Sequence, residues 1–205
     1  MGIRTRSPLE GEPKNSEARE RQRADARNFS AGGRAAHPSP KFAARISTLP
    51  QGEGGIVRIA RTWIGTPYVH QASVKGAGCD CLGLLRGVWR ELYGDEPEDA
   101  PPYSPDWAEA TGRETLREAL ARHMREIDLA GIVPGDVALF RMHPRGPAKH
   151  CGIVAQSNPP LEGGSKRGTR FGEGLTLIHA RQNKRVSEEP FSDFWRKKLA
   201  FAFRI

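Results

Sequence analysis

The sequence predicts an α+β domain over residues 54–205, with helices first and an antiparallel sheet after them. Two observations predict it. Apolar residues recur at helical spacing between Ile56 and Leu92. Short apolar runs of strand length then fill residues 137–205, separated by glycine- and proline-bearing turns. This order, helices and then strands, places helices packed on a central antiparallel sheet.

The elements follow in order. Ile56, Ile59, Ala60, Trp63 and Ile64 mark a first helix, which Gly65 and Pro67 stop. After a loop to Gly78, Leu84, Leu85, Val88, Trp89 and Leu92 mark a second amphipathic helix, closed by Gly94. Residues 95–110 read as a proline-rich loop, and residues 112–126 as a charged helix with Leu116, Leu120 and Met124 on one side. Pro134-Gly135-Asp136 is a turn. Strands are expected at Val137–Arg141, Cys151–Ala155, Leu175–His179, Arg185–Pro190 and Leu199–Ile205, with a Gly- and Lys/Arg-rich loop over 156–174.

Residues 1–53 differ from the rest. Large apolar side chains are sparse there and no period is sustained, so the segment cannot bury enough surface to offset chain entropy. It is expected to be a disordered basic extension. The stretch 38–55 also resembles translated intergenic repeats of bacterial genomes. On that reading residues 1–53 are not native coding sequence and translation begins near Val57; detection of a peptide from residues 1–50 in the native protein rules it out. The chain carries a net charge of +8, half of it in residues 1–53. Interleaved aromatics and recognition motifs are lacking, so the basic balance does not read as nucleic-acid binding. No apolar run approaches the roughly 18 residues that span a bilayer. The N-terminus has no apolar core of a signal peptide, so the expectation is cytoplasmic synthesis.

Three cysteines, Cys79, Cys81 and Cys151, do not suit a disulfide framework. Cys81 falls where a loop enters the second helix, with Asp80 placed to cap it. Unpaired N–H groups and the macrodipole at a helix start stabilise a thiolate, and the thiolate is the form that attacks carbonyls. His150 begins a strand and is the residue type that takes a thiol proton near neutral pH. His179 ends another strand and can orient the first imidazole. Cys81 alone reads equally well as a small core residue; the ordered set Cys81, His150, His179 reads as nucleophile, base and orienting group.

Residues 56–205, about three quarters of the chain, resemble the NlpC/p60 family of papain-like cell-wall cysteine peptidases. Five segments carry the resemblance in order: Gly65-Thr66-Pro67-Tyr68, Asp80-Cys81-Leu82-Gly83-Leu84, Pro134-Gly135-Asp136-Val137, His150-Cys151-Gly152-Ile153-Val154, and Ile178-His179-Ala180. The resemblance implies a papain-like fold and hydrolysis of an amide in the peptidoglycan stem peptide, with no metal or cofactor. It also implies Cys81 as nucleophile, His150 as base and later acid, His179 as orienting group, and Tyr68 and Asp80 at the oxyanion and substrate side. Residues 70–81 and 86–94 resemble most the peptidases of phage tails and gene transfer agents, which implies particle-borne delivery and particle partners. Leu82 replaces the family's usual serine, Cys79 is an extra thiol, and residues 95–131 form an insertion that shapes substrate access, contacts a tail partner, or is surface alone.

Two other readings stand beside it. One is a non-enzymatic tail assembly component. The other is a structural zinc site using Cys79, Cys81, His150 and Cys151, although neighbours on a strand point to opposite faces and these spacings are poor for one ion.

Overall fold

The structure is a computed structural model and describes residues 54–104, 108–109, 112–157 and 174–205. The extension 1–53, Trp107 and the basic loop near Lys166 lie outside the described residues. Helix α1 (Gly54–Arg61) is followed by a two-stranded hairpin, β1 (Ser73–Val74) and β2 (Gly78–Cys79), and then by α2 (Cys81–Tyr93). Helix α3 (Thr115–Ala121) leads into β3 (Arg125–Ile127) and a 3₁₀ turn (Leu129–Gly131). The remaining elements are β4 (Val137–Phe140), β5 (His150–Gln156), β6 (Leu175–His179), β7 (Ser187–Pro190), α4 (Asp193–Lys198) and β8 (Leu199–Arg204).

Six of the strands make one antiparallel sheet in the order β3-β8-β4-β5-β6-β7. The α+β class read from the sequence is therefore the one found. Alternation along the strands divides the core into two layers. Val137, Leu139, Cys151 and Ile153 face the helices, where they meet Leu84, Leu85, Val88 and Trp89 of α2. Ala138, Phe140, Val154 and Leu177 face the other way, against Phe191 and Trp195 beside and within α4. Each such large side chain contributes about 1.5–3 kcal/mol by leaving water.

Several expectations are corrected. The single helix expected over 112–126 ends at Ala121, and Arg125–Ile127 instead pairs with Arg204–Ala202 of β8. Helix propensity of Arg125 and Glu126 yields to the backbone bonds available along the open edge of β8. The β1–β2 hairpin and α4 were not expected; both are shorter than the window over which a period can be counted. Strand β7 begins at Ser187 rather than Arg185.

Two parts of the frame hold the sheet end in place. Asp136, almost fully buried, accepts from Val133 N at 2.8 Å and takes both Nε and Nη2 of Arg204 at 2.8 Å. The Pro134-Gly135-Asp136 turn is thus tied to the last strand by a bidentate, charge-assisted pair. On the other side, Arg61 of α1 grips both carboxylate oxygens of Glu188 on β7 at 2.8 Å.

Candidate active site

Cys81 is the first residue of α2, and Asp80 is its N-cap. The Asp80 carboxylate accepts from Gly83 N at 2.7 Å, Gln71 N at 2.7 Å and the Tyr103 hydroxyl at 2.6 Å. Those bonds fix how the loop turns into the helix, and so where the Cys81 thiol points. The helix can come this close to the loop because residue 83 is glycine. A Cβ there would lie 1.9 Å from the backbone oxygen of Ala72.

The base side is built by two adjacent strands. His150 opens β5 and His179 closes β6, so both imidazoles stand at the same end of the sheet. Their contact is direct: His150 Nε2 lies 2.8 Å from His179 Nδ1. Gly152 makes room for it, since a Cβ at that position would come within 3.0 Å of His179 Cβ. With Nε2 so engaged, Nδ1 of His150 is the ring nitrogen left for the Cys81 thiol, whose Sγ donates to Lys149 O at 3.8 Å.

The three thiols differ sharply. The Cys151 thiol donates to Cys81, and the His150 ring adds a hydrogen bond and its charge. Together they hold the Cys81 thiol well below its ordinary value despite burial. The Cys151 thiol also donates to the Cys81 carbonyl oxygen at 3.3 Å, and its hydrogen bond with Cys81, together with burial, keeps Cys151 protonated. Burial, reinforced by Asp80, pushes Cys79 up to about 12. Cys79 and Cys151 are fully buried, while Cys81 is half-buried. Asp80 is raised by burial and by the Cys81 charge, against the pull of its three hydrogen bonds.

Cys81, His150, Tyr68 and Asp80 line one cleft of about 370 Å³. Tyr68 is raised to about 12 by burial first and by Cys81 and Asp80 next, so its phenol stays protonated and able to donate. His179 is fully enclosed behind His150. The insertion is not remote: Tyr103 and Ser104 form part of the cleft wall, and the Tyr103 carbonyl takes Gln71 Nε2 at 2.7 Å.

Although His150 and Cys151 both adjoin Cys81, the four candidate zinc ligands do not surround one point. His150 packs toward Phe140 and Trp195 on one face of β5, whereas Cys151 faces α2 on the other. Among the described residues no three His, Cys, Asp or Glu side chains are grouped to hold a metal ion. No helix among them is long and apolar enough to cross a membrane.

Besides Tyr103, two residues at the histidine pair escaped the sequence reading. Trp195 stacks on His150 with ring centroids 5.5 Å apart and planes at 26°, and meets His179 edge-on at 4.8 Å. Its indole N–H donates to Glu189 Oε1 at 2.6 Å. The signal that leads to both is the β6–β7 register, which sets Leu177 opposite Glu189 and so brings residue 189 to the His179 face.

Burial, with the charges of His150 and Arg181, lowers His179 to about 3. It is therefore neutral when folded, whereas in the unfolded chain it takes a proton near pH 6.5. Below that pH the unfolded state binds more protons, so stability is full above about 6.5 and falls as pH drops toward 3. This group alone is expected to remove about 2 kcal/mol between pH 7 and pH 5. Urea unfolding of the wild type and His179→Asn at both pH values checks this, and the variant should lose less.

No protein-family model matches the chain, and no curated protein matches it. Solved structures resemble it in fold. The NlpC/p60 domain of peptidoglycan hydrolase SagA is 22% identical, covering 75% of this chain and 99% of that one at a TM-score of 0.45. A lipoprotein-like NLP/P60 family protein from Staphylococcus aureus is 18% identical at 0.45, and an NlpC/P60 family protein from Bacillus cereus is 17% identical at 0.46. Each covers 75% of this chain, which spans 41% and 40% of those two proteins.

Proposed function

We propose that this chain is a cysteine peptidase that hydrolyses amide bonds in the peptidoglycan stem peptide. The observation that carries the reading is the line Cys81–His150–His179, with the thiol at a helix start, its ionisation favoured by its neighbours, and opening on a cleft. The five sequence segments that resemble cell-wall cysteine peptidases supply the substrate class.

His150 Nδ1 takes the Cys81 proton, giving a thiolate–imidazolium pair. The thiolate attacks an amide carbonyl carbon and the carbonyl electrons move to oxygen. Free N–H groups at the start of α2 and the Tyr68 hydroxyl face that oxyanion. As the tetrahedral species collapses, the C–N bond breaks and the imidazolium protonates the leaving amine. Water then gives a proton to His150, attacks the thioester, and releases the acid with the thiol restored.

Residues 70–81 and 86–94 favour the finer reading of a phage-tail or gene-transfer-agent peptidase. A particle would then deliver the enzyme to the wall and provide its protein partners.

The test is digestion of Gram-negative peptidoglycan by wild type and Cys81→Ala, with fragments read by mass spectrometry. New stem-peptide fragments should come from the wild type alone. Folded, reduced wild type that yields none points instead to an assembly role.

A further inference from the structure

We propose that Glu189 is a positioning residue behind the histidine pair: it fixes the tautomer of His179 and anchors Trp195 over His150. The proposal rests on the reading of Cys81 and His150 as nucleophile and base.

The argument begins with proton inventory. To accept the thiol proton at Nδ1 and become an imidazolium, His150 carries its other proton at Nε2. That N–H donates to His179 Nδ1 at 2.8 Å, so Nδ1 of His179 must be the acceptor. A neutral His179 then has its only proton on Nε2. Nε2 is buried and has no well-aligned hydrogen-bond acceptor. The nearby charge is Glu189 Oε1, 3.1 Å away and off the hydrogen-bond line. A carboxylate at that range favours the N–H on Nε2 and disfavours a bare lone pair there.

The same oxygen has a second duty. Oε1 accepts the Trp195 indole N–H at 2.6 Å, and that indole lies flat on His150 and edge-on to His179. One carboxylate thus holds both the far end of the relay and the ring that covers it. Arg181, 3.4 Å from both Glu189 oxygens, steadies the carboxylate from the cleft rim. Because His179 remains neutral, Glu189 conveys orientation and polarisation rather than a proton.

Its neighbour supplies the control. Glu188 faces the other side of β7, where it bonds Arg61 and Thr176. The two glutamates are adjacent in sequence and alike in charge, and of the two Glu189 is the one that reaches the histidines.

The experiment measures the rate of Cys81 alkylation by iodoacetamide against pH in the full chain, which requires no peptidase activity. Asp80, Tyr68, His70, Tyr103, Lys149, Cys151, Arg181 and Lys184 also face the cleft or act on the pair, and Glu189→Gln leaves all of them in place. With the carboxylate gone the imidazolium is less favoured, so the thiolate should form at higher pH. Alkylation at pH 6 should slow about threefold or more in Glu189→Gln, while Glu188→Gln keeps the wild-type profile. A folded Glu189→Gln with the wild-type profile overturns the proposal, as does an equal shift in Glu188→Gln. Nitrogen-15 shifts of the wild-type imidazoles read the tautomer without any variant: a proton on His179 Nε2 is expected, and one on Nδ1 overturns it. Failure to cleave peptidoglycan alongside a shifted profile would sink the substrate reading and leave this one standing.

Discussion

Brief treatment with iodoacetamide at pH 7 should modify Cys81 and leave Cys79 and Cys151 intact. The expected difference is large. A thiol at about 12, as Cys79 is, has a thiolate fraction on the order of 10⁻⁵ at pH 7. Even an ordinary thiol is a few per cent ionised there, and Cys81 is held well below the ordinary value. After the stronger intrinsic nucleophilicity of a more basic thiolate is counted, the ratio of rates to Cys79 should be at least about 10², before counting that Cys79 and Cys151 are closed to solvent. Peptide mapping by mass spectrometry reads all three cysteines in one sample. His150→Ala removes the ring that shares the proton, and Cys81 labelling at pH 7 should fall about tenfold or more. Equal labelling of Cys81 and Cys151 would mean that the charge is not localised as the geometry requires.

Gly83→Ala should be the most disruptive single methyl in the domain. The new carbon would meet the Ala72 carbonyl oxygen at 1.9 Å and its carbon at 2.9 Å, both backbone atoms that cannot rotate aside. To relieve this, α2 must retreat from the loop at 71–73. That retreat breaks the Ser73 hydroxyl bond to Gly83 O and the Gln71 N–H bond to Asp80. The expected cost is about 3 kcal/mol or more, seen as a fall of roughly 6–12 °C in Tm. Where the variant still folds, Cys81 labelling should slow, because the thiol moves with the helix start. A variant with wild-type Tm would show that the loop yields freely and that the close approach is not needed.

What was legible in the sequence is what repeats or caps. The face of α2 from Leu84 to Leu92, the apolar runs of β4, β5 and β6, and Asp80 as a cap each follow from local chemistry. Cys81, His150 and His179 could be named because each has a distinctive residue type at the start or end of an element. What was not legible depends on partners far along the chain. Arg125–Ile127 becomes a strand only because β8 offers it an edge. Tyr103 lies in the proline-rich loop read over 95–110, and nothing local marks it until its hydroxyl is found on Asp80, 23 residues earlier. Glu189 looks like one more surface charge in Ser187-Glu188-Glu189-Pro190. Only the pairing of β6 with β7, together with the fold of α4, brings it to His179 and Trp195.

The histidines stand at one end of β5 and β6, and the connection between these strands leaves from the other end, where Gln156 pairs with Leu175. Ser157 N donates to Gly174 O at 3.0 Å, so the two strands are already joined there, whatever runs between them. Seven residues of strand separate that junction from His150, about 20 Å. Chain inserted beyond that junction enters and leaves at the end of β5 and β6 opposite the histidines. A reporter domain, an affinity handle or new chain termini entering between Ser157 and Gly174 would leave that junction and the two strands in place. Cys81, His150 and His179 at the far end would keep the frame that holds them.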